Sequence, residues 1–401
     1  MENTNETSLN PTVKKLGAIS FFADVASEML YPITPIFLTT VLGASMSSIG
    51  VIEGCAEALA SFLKTYSGSW SDKISKRKPF VVVGYLLGAV SKPFIGIAMS
   101  WSHVLLARSL DRIGKGIRSA PRDALIADSV NINSRGAAFG WHRGMDTLGA
   151  AVGPLLTLFL ISSTSDNLRK LYWWALIPGI ISVIIALTVK EIKPHHKATI
   201  TKTSNDWKFK EFNPNFKKYL MAWTIFSLAN SSDTFLLLRA KSSGATITTI
   251  VLLYCVYNLI YALSSPYLGK LSDTIPRKFL MIFGLFLYSI VYLGFGFATE
   301  GWQYWMLFSI YGFYMGATDG IGKALAVDFS PQHLKATALG LLGTVTGFAT
   351  IIASSLAGYI WDHLGANYTF YFGSCGALIA LVLMSAFVSD TNQFDHKSWS
   401  K

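Results

Sequence analysis

Long apolar segments recur along the chain and are separated by short polar stretches. A helix needs roughly 20 predominantly apolar residues to cross the hydrocarbon core of a bilayer. Segments of about this length lie at about 16–41, 48–68, 79–99, 102–125, 136–163, 171–189, 219–238, 245–268, 279–298, 302–326, 336–360 and 367–388. Most connections between them are too short to hold a soluble domain. The pattern therefore predicts an all-α integral membrane protein with twelve transmembrane helices.

The longest internal polar segment, residues 190–218, divides these spans six and six. This predicts two bundles of six helices joined by a central loop. The predicted organisation is a tail at 1–15, an N-terminal bundle at 16–189, the loop at 190–218, a C-terminal bundle at 219–388 and a second tail at 389–401.

Two motifs appear once in each half at nearly the same offset. GSWSDKISKRK runs from Gly68 to Lys78 after the second span, and GKLSDTIPRK runs from Gly269 to Lys278 after the eighth. Asp128 with Arg135 likewise matches Asp328 with Lys335. Two independent matches indicate an internal repeat, so the two bundles are predicted to share one fold.

The repeated loop resembles the signature loop of the major facilitator superfamily, although Thr274 replaces a basic residue in the second copy. The segment Arg108–Gly116 resembles the family's arginine- and glycine-containing motif of span four, with Arg112 as the matching arginine. Gly149-Ala-Ala-Val-Gly153-Pro154 resembles part of a motif of family exporters, but Leu155 and Leu156 stand where a glycine pair usually follows. The resemblance implies two pseudo-symmetric six-helix bundles, transport by alternating access, and a central cavity lined by spans one, four, seven and ten.

Composition and charge agree with a membrane protein. Only 14% of the residues are charged and 51% are hydrophobic, whereas a soluble domain has about 25% charged residues. The net charge of +11 comes mainly from lysines and arginines at the tails, the central loop and alternate short loops, whereas the other side has only Arg169, Lys170, Arg239 and Lys241. This positive-inside bias predicts cytoplasmic termini, and it explains the basic charge without a nucleic-acid partner. The compact loops suggest a bacterial inner membrane.

Ionisable groups at membrane depth are costly, so each one is a candidate for function. Several stand at helical spacing, among them Asp24 with Glu28 and Glu53 with Glu57. Arg112 and Arg143 are expected to have carboxylate partners, with Asp111 as the candidate partner of Arg112. The candidates for substrate or proton contact are Asp24, Glu28, Glu53, Glu57, Asp111, Arg112, His142, Arg143, Asp146, Asn230, Asp233, Asp319 and Lys323.

The repeated loops supply candidates for gating. A carboxylate such as Asp72 is suited to cap a neighbouring helix N-terminus while the basic residues contact lipid headgroups. The alternative is that the loops only anchor the topology. The gating candidates are Gly68, Asp72, Lys73, Arg77, Lys78, Gly269, Asp273, Arg277 and Lys278.

Other functional classes find little support in the sequence. It has no nucleotide-binding loop, no potassium-filter motif and no metal-ligand or nucleophile–base set, so we expect neither an enzyme nor a cofactor or metal. We expect a monomeric secondary active transporter, proton-coupled, for a small polar or charged solute. Efflux of a drug, siderophore or metabolite by antiport and a non-transporting membrane sensor are the alternatives.

Overall fold

The computed structural model describes residues 10–74, 76–130, 135–161, 167–191, 209–272, 274–330 and 334–389, and within these ranges it contains helices and no strands. The α-helices are α1 Pro11–Glu28, α2 Ile33–Thr40, α3 Met46–Ile74, α4 Lys78–Gly96, α5 Trp101–Asp128, α6 Arg135–Ile161, α7 Leu168–Leu187, α8 Pro214–Ala229, α9 Thr234–Ser242, α10 Ile247–Leu271, α11 Arg277–Phe297, α12 Gly301–Asp328, α13 Lys335–His363 and α14 Ala366–Phe387.

These helices form the twelve predicted spans, because two spans consist of two helices each. Span one is α1 and α2, with a break at residues 29–32 that ends on Pro32, which cannot donate a backbone hydrogen bond. Span seven is α8 and α9, and there Asn230 leaves the helical region with ψ of 93°. The two breaks occupy related positions in the two halves.

Nine helical segments in the described residues are long and apolar enough to cross a membrane on those criteria alone. The three predicted spans outside this set are α5, the pair α8–α9, and α12. Helix α5 does not meet the criteria because it carries many charged side chains between Arg108 and Asp123. The pair α8–α9 consists of helices of only 16 and 9 residues. Spans four, seven and ten, which the family resemblance places at the cavity, are thus the three that do not meet these criteria.

The first compact unit contains residues 1–44 and 55–204. Helix α4 packs against α5 and α7, and α1 packs against α6 and α7. Gly149 and Gly153 permit the close approach of α6 to α1: an added Cβ would lie 2.5 Å from the Phe21 carbonyl oxygen and 2.9 Å from the Met29 nitrogen, respectively. These glycines therefore have a role in helix packing.

The second unit contains residues 45–54 and 205–401. Helix α10 packs against α12, α14 packs against α8 and α11, and α13 packs against α8. The first residues of α3 belong to this unit, where the Asp362 carboxylate accepts hydrogen bonds from the backbone N–H groups of Met46 and Ser47 at 3.0 and 2.8 Å. The predicted domain boundaries otherwise stay a prediction.

Related contacts confirm that the two halves share one architecture. The Arg77–Asp128 ion pair at 3.4 Å corresponds to Arg277–Asp328 at 2.6 Å. Helices α1 and α8 also begin alike: Asn10 precedes Pro11 and accepts from the N–H of Thr12, and Asn213 precedes Pro214 and accepts from the N–H of Asn215. An asparagine N-cap followed by proline is a strong helix start, and the sequence analysis had overlooked this third repeated motif.

Candidate functional site

A polar cavity lies inside the first unit. Its volume is about 560 Å³, which includes open solvent at its mouth. Helical spacing explains its lining, since side chains three or four residues apart share one helix face. The polar and charged lining residues are Asp24, Ser27, Glu28, Tyr31, Thr34, Ser91, Lys92, Arg108, Asp111, Arg112, Lys115 and Arg118.

A buried ion pair joins α4 and α5 at the cavity wall. The Lys92 Nζ lies 2.5 Å from Asp111 Oδ1, and the exposed fractions of the two side chains are 6% and 13%. Ser91 Oγ donates to the same carboxylate oxygen at 3.4 Å. The sequence alone favoured Arg112 as the partner of Asp111. In the structure Lys92 forms the ion pair, while Arg112 acts on the Asp111 carboxylate electrostatically. Adjacent helical residues point about 100° apart, whereas Lys92 reaches Asp111 across the helix interface.

The arginines of α5 bring donor groups to the same cavity. The Arg118 guanidinium lies 4.2 Å from the centre of the Tyr85 ring, a cation–π contact that fixes its position. The Nε atoms of Arg112 and Arg118 are buried and have no hydrogen-bond partner within the described ranges. The side chains of Arg112 and Arg118 therefore line the cavity, and each has an Nε–H without an acceptor among the described residues.

Asp24 and Asp146 form a carboxyl pair between α1 and α6. Their side chains are hydrogen-bond partners. A carboxylate oxygen only accepts, so such a bond requires one proton held between the two groups. Arg122, His142 and Arg143 act electrostatically on Asp146, and Lys115 and Glu28 on Asp24. The pair thus lies among ionisable side chains of both signs.

A hydrogen-bonded cluster centred on Ser20 includes His142 and Arg122, which act electrostatically on Asp146. Ser20 Oγ lies 2.8 Å from Nε2 of the buried His142 and 3.2 Å from the Tyr85 hydroxyl. Arg122 donates to Ser20 Oγ at 3.4 Å and to Asp123 at 2.9 Å. Arg143 has the carboxylate partner expected of it, with Asp146 at 3.4 Å, although its side chain is 65% exposed.

The candidates in the second unit contact tyrosines. Asp233, at the break between α8 and α9, accepts from Tyr257 at 3.1 Å and from Tyr311 at 2.6 Å. Asp319 accepts from the Tyr261 hydroxyl at 3.0 Å and pairs with the exposed Lys323 at 2.7 Å. Asn230 ends α8, and its Oδ1 is buried with no hydrogen-bond partner among the residues described.

Two predicted candidates lie outside these clusters. Glu53 is buried and belongs to the part of α3 in the second unit, whereas Glu57 is exposed. Neither lines the cavity of the first unit. Their predicted contact with substrate or protons stays a prediction.

The basic residues of the repeated loops bond to neighbouring helices. The buried Arg77 pairs with Asp128 and donates to Ser71 Oγ at 3.0 Å. Lys78 Nζ donates to the Leu187 carbonyl at 2.7 Å, and Lys278 Nζ donates to that of Ser385 at 3.2 Å.

The other loop candidates have fewer contacts. Lys73 is exposed. An added Cβ on Gly68 would lie 3.2 Å from Ala120, while Gly269 faces open space. The side chain of Asp72 and the whole of Asp273 lie outside the described residues, so the capping role predicted for Asp72 stays a prediction. The N-terminus of α4 is capped by Glu191, whose carboxylate accepts from the N–H groups of Arg77 and Lys78 at 2.8 and 2.9 Å.

Sequence reasoning missed several residues of these networks, namely Ser20, Tyr85, Lys92 and Glu191. Lys92 had a usable signal, because it is a single cation inside the otherwise apolar span 79–99. Ser20 and Tyr85 are ordinary residues of apolar spans and gave none. In the part of the chain that the structure describes, no group of three or more His, Cys, Asp or Glu side chains is arranged to hold a metal ion.

Comparison with known proteins identifies the family. The model of the Major Facilitator Superfamily matches residues 16–239 and 219–400. The chain belongs to this superfamily. An uncharacterised MFS-type transporter of Methanocaldococcus jannaschii is 37% identical over 388 residues, covering 95% of this chain and 96% of the relative.

Solved structures of the superfamily share the fold. The nucleoside transporter NupG superposes with a TM-score of 0.76 at 14% identity, over 96% of this chain and 100% of that one. A D-xylose–proton symporter gives 0.74 at 19% identity, over 95% and 98%. The predicted family and twelve-helix fold are confirmed, and the chain is a multi-pass membrane protein of a transporter family.

Proposed function

We propose that this superfamily member is a secondary active transporter that moves a small polar or charged solute by alternating access and is driven by protons. The observation that carries the proposal is the charged cavity of the first unit beside the Asp24–Asp146 carboxyl pair. Buried charges are unfavourable in a bilayer and are kept where they serve a pathway or a binding site.

The solute part of the proposal rests on the polarity of the cavity. Its lining consists mainly of charged and hydroxyl side chains rather than the apolar and aromatic groups that dominate pockets for greasy ligands. A polar solute can replace the water that these groups would otherwise bind. Transport by alternating access fits the repeat architecture of the chain.

The proton part rests on the shared hydrogen bond of Asp24 and Asp146. Two carboxylates at this range repel each other unless a proton lies between them. Loss of that proton leaves two negative charges, which Arg122 and Lys115 are placed to stabilise. Binding a proton on one side of the membrane and releasing it on the other is thus coupled to the charge state of the cavity wall.

The orientation of the chain follows the positive-inside bias. We place both termini in the cytoplasm of a bacterial cell, with the protein in the inner membrane. The transporter acts without a cofactor and as a monomer in this proposal, since each half supplies its own helical bundle.

Proton flux in proteoliposomes tests the proposal. With a pH-sensitive dye inside, a panel of solutes should reveal one that causes a solute-dependent pH change. Asp24→Asn should lower this proton flux by at least about 10-fold, because an amide cannot take up a proton at this site. The same variant should retain solute exchange across the membrane, which needs no net proton movement.

The control separates folding from coupling. Glu211→Gln changes an exposed carboxylate ahead of α8 and should behave like the wild type. Proton-driven accumulation that is unchanged in Asp24→Asn would refute the role of the pair. Solute transport without any pH change would refute proton coupling itself.

A further inference from the structure

The cavity of the first unit has more cationic than acidic groups. Its five cations, Lys92, Arg108, Arg112, Lys115 and Arg118, face three acids, Asp24, Glu28 and Asp111. Two of the acids already have other interactions, since Asp111 pairs with Lys92 and Asp24 bonds to Asp146. The positive excess therefore comes from the α5 side chains.

The fold does not require charged side chains at the positions of Lys92 and Asp111, as the second unit shows. At the offset of 200 residues that relates the two halves, Lys92 corresponds to Tyr292 and Asp111 to Tyr311. Tyr288 and Tyr292 stack with their ring centres 4.0 Å apart, and Tyr311 packs 6.4 Å from each. The same helix positions are thus filled by aromatic packing in one half and by charge in the other.

The arginines also offer unused hydrogen-bond donors. The buried Nε of Arg112 finds no acceptor in the described part of the chain, and the same holds for the Nε of Arg118. A planar guanidinium matches the oxygens of a carboxylate or phosphate group, with which it forms two parallel hydrogen bonds. An oxyanion bound to the guanidinium groups that line the cavity would neutralise the excess charge.

We infer that the transported solute is a small organic anion whose carboxylate or phosphate group binds in this cavity with Arg112 as a principal contact. The inference rests on the proposed function, because it names the class of solute for the same site.

Charge-selective labelling of a cysteine in the cavity tests this inference without knowledge of the solute. Ser27→Cys is placed on the cavity wall, and Ser102→Cys is an exposed control near the start of α5. Both are made in full-length protein in which Cys55, Cys255 and Cys375 are replaced by serine. Purified protein is treated with a sulfonate-bearing and a trimethylammonium-bearing methanethiosulfonate, which carry out the same thiol chemistry with opposite charge.

We expect the ratio of anionic to cationic labelling rates to be at least about 10-fold higher at Ser27→Cys than at Ser102→Cys, because a cleft lined by one sign of charge concentrates its counter-ions. Adding Arg112→Gln should lower the ratio at Ser27→Cys several-fold and leave that at Ser102→Cys unchanged. Equal ratios at the two positions, or a preference for the cationic reagent, would overturn the inference.

Thermal stability provides a second measurement if neither reagent reacts in the cavity. Citrate and glucose 6-phosphate should raise the Tm of the wild type by a few degrees, whereas glucose should not, and Arg112→Gln should lose most of the rise. No difference between charged and uncharged probes would overturn the inference. Labelling needs no transport, so a missing proton flux with a high labelling ratio would count against the proposed function alone.

Discussion

At the scale of single residues, the first unit is organised by ionisable side chains whose partners come from other helices. Lys92 meets Asp111 between α4 and α5, and Asp24 meets Asp146 between α1 and α6. Each of these groups would be strongly unfavourable alone in a bilayer. Their partners are what make their presence compatible with a stable fold.

Breaking the Lys92–Asp111 pair should lower the free energy of unfolding. Lys92→Met or Asp111→Leu alone is expected to destabilise the protein by about 3–5 kcal/mol, because either change leaves an uncompensated buried charge. The double variant Lys92→Met/Asp111→Leu should recover much of that loss. Unfolding in detergent, arranged as a double-mutant cycle, measures the coupling.

The exposed pair Asp319–Lys323 provides the matched control for this cycle. Its side chains are 39% and 61% exposed, so removing either partner should cost only about 0–1 kcal/mol. Equal losses at the two pairs would show that burial does not govern the energy of the Lys92–Asp111 pair.

At the scale of helices, close packing and short inter-helix bonds position the site. Thr157 on α6 donates to the carbonyl of Met29 at 2.6 Å, which satisfies a backbone group left free where α1 ends. Together with Gly149 and Gly153, this holds α6 against α1 beside the carboxyl pair. The distance between Asp24 and Asp146 therefore depends on this helix contact.

Gly149→Ala should disturb that contact. Because an added methyl group would lie 2.5 Å from a backbone oxygen, the two helices must separate, at a cost of about 1–3 kcal/mol. Gly320→Ala is the control, since nothing lies within 4 Å of the added atom. The Tm of the first variant should fall by several degrees and that of the second should not, and a similar Tm for both would contradict the packing argument.

The loop pairs tie the start of one helix to the end of the next. Arg277, at the first residue of α11, pairs with Asp328 at the last residue of α12. If the loops contribute to gating, Arg277→Gln should slow transport several-fold, while its effect on stability stays near 1 kcal/mol because the pair is partly exposed. The swap Arg277→Asp/Asp328→Arg should restore part of the rate in a vesicle uptake assay.

If Arg277→Gln inserts at the wild-type level and takes up solute normally, the loop only anchors the topology and does not contribute to gating. Asp328→Asn serves as the reciprocal variant, and it should slow uptake to a similar extent. A slow Arg277→Gln combined with a normal Asp328→Asn would show that the arginine acts through another contact.

At the scale of the whole molecule, the two units share one fold but differ in the side chains at corresponding positions. The first unit is charged at positions where the second unit packs tyrosines, so the repeat fixes helix placement without fixing side-chain chemistry. A transporter needs both the related bundles that move and a distinct set of groups that bind. In this chain the charged cavity lies in the first unit.

Accessibility of single cysteines tests the orientation of the molecule. In a background without native cysteines, Ser243→Cys should react with an impermeant maleimide in intact cells, because it lies on the side poor in lysine and arginine. Glu211→Cys should react only after the cells are permeabilised. Both positions are exposed, and the reverse pattern would invert the proposed topology.

The sequence by itself determined the twelve spans, the two related halves and the family. These follow from local properties, since apolar length and a repeated loop are read along the chain without knowledge of contacts. The family resemblance also pointed to spans four, seven and ten, and these are the three spans outside the set that is long and apolar enough to cross a membrane on those criteria alone. Asp24, Asp111, Arg112 and Asp146 were marked as candidates because charge at membrane depth is costly wherever it stands.

Only the tertiary structure decided which of these groups meet. Lys92 and Asp111 are 19 residues apart, and Ser20 and His142 are 122 apart, so their contacts depend on how helices cross rather than on spacing within one helix. Glu53 and Glu57 stand four residues apart on one helix, and only the structure shows that Glu53 is buried whereas Glu57 is exposed. Helical periodicity fixes the face on which a side chain lies, and packing between helices fixes what it touches.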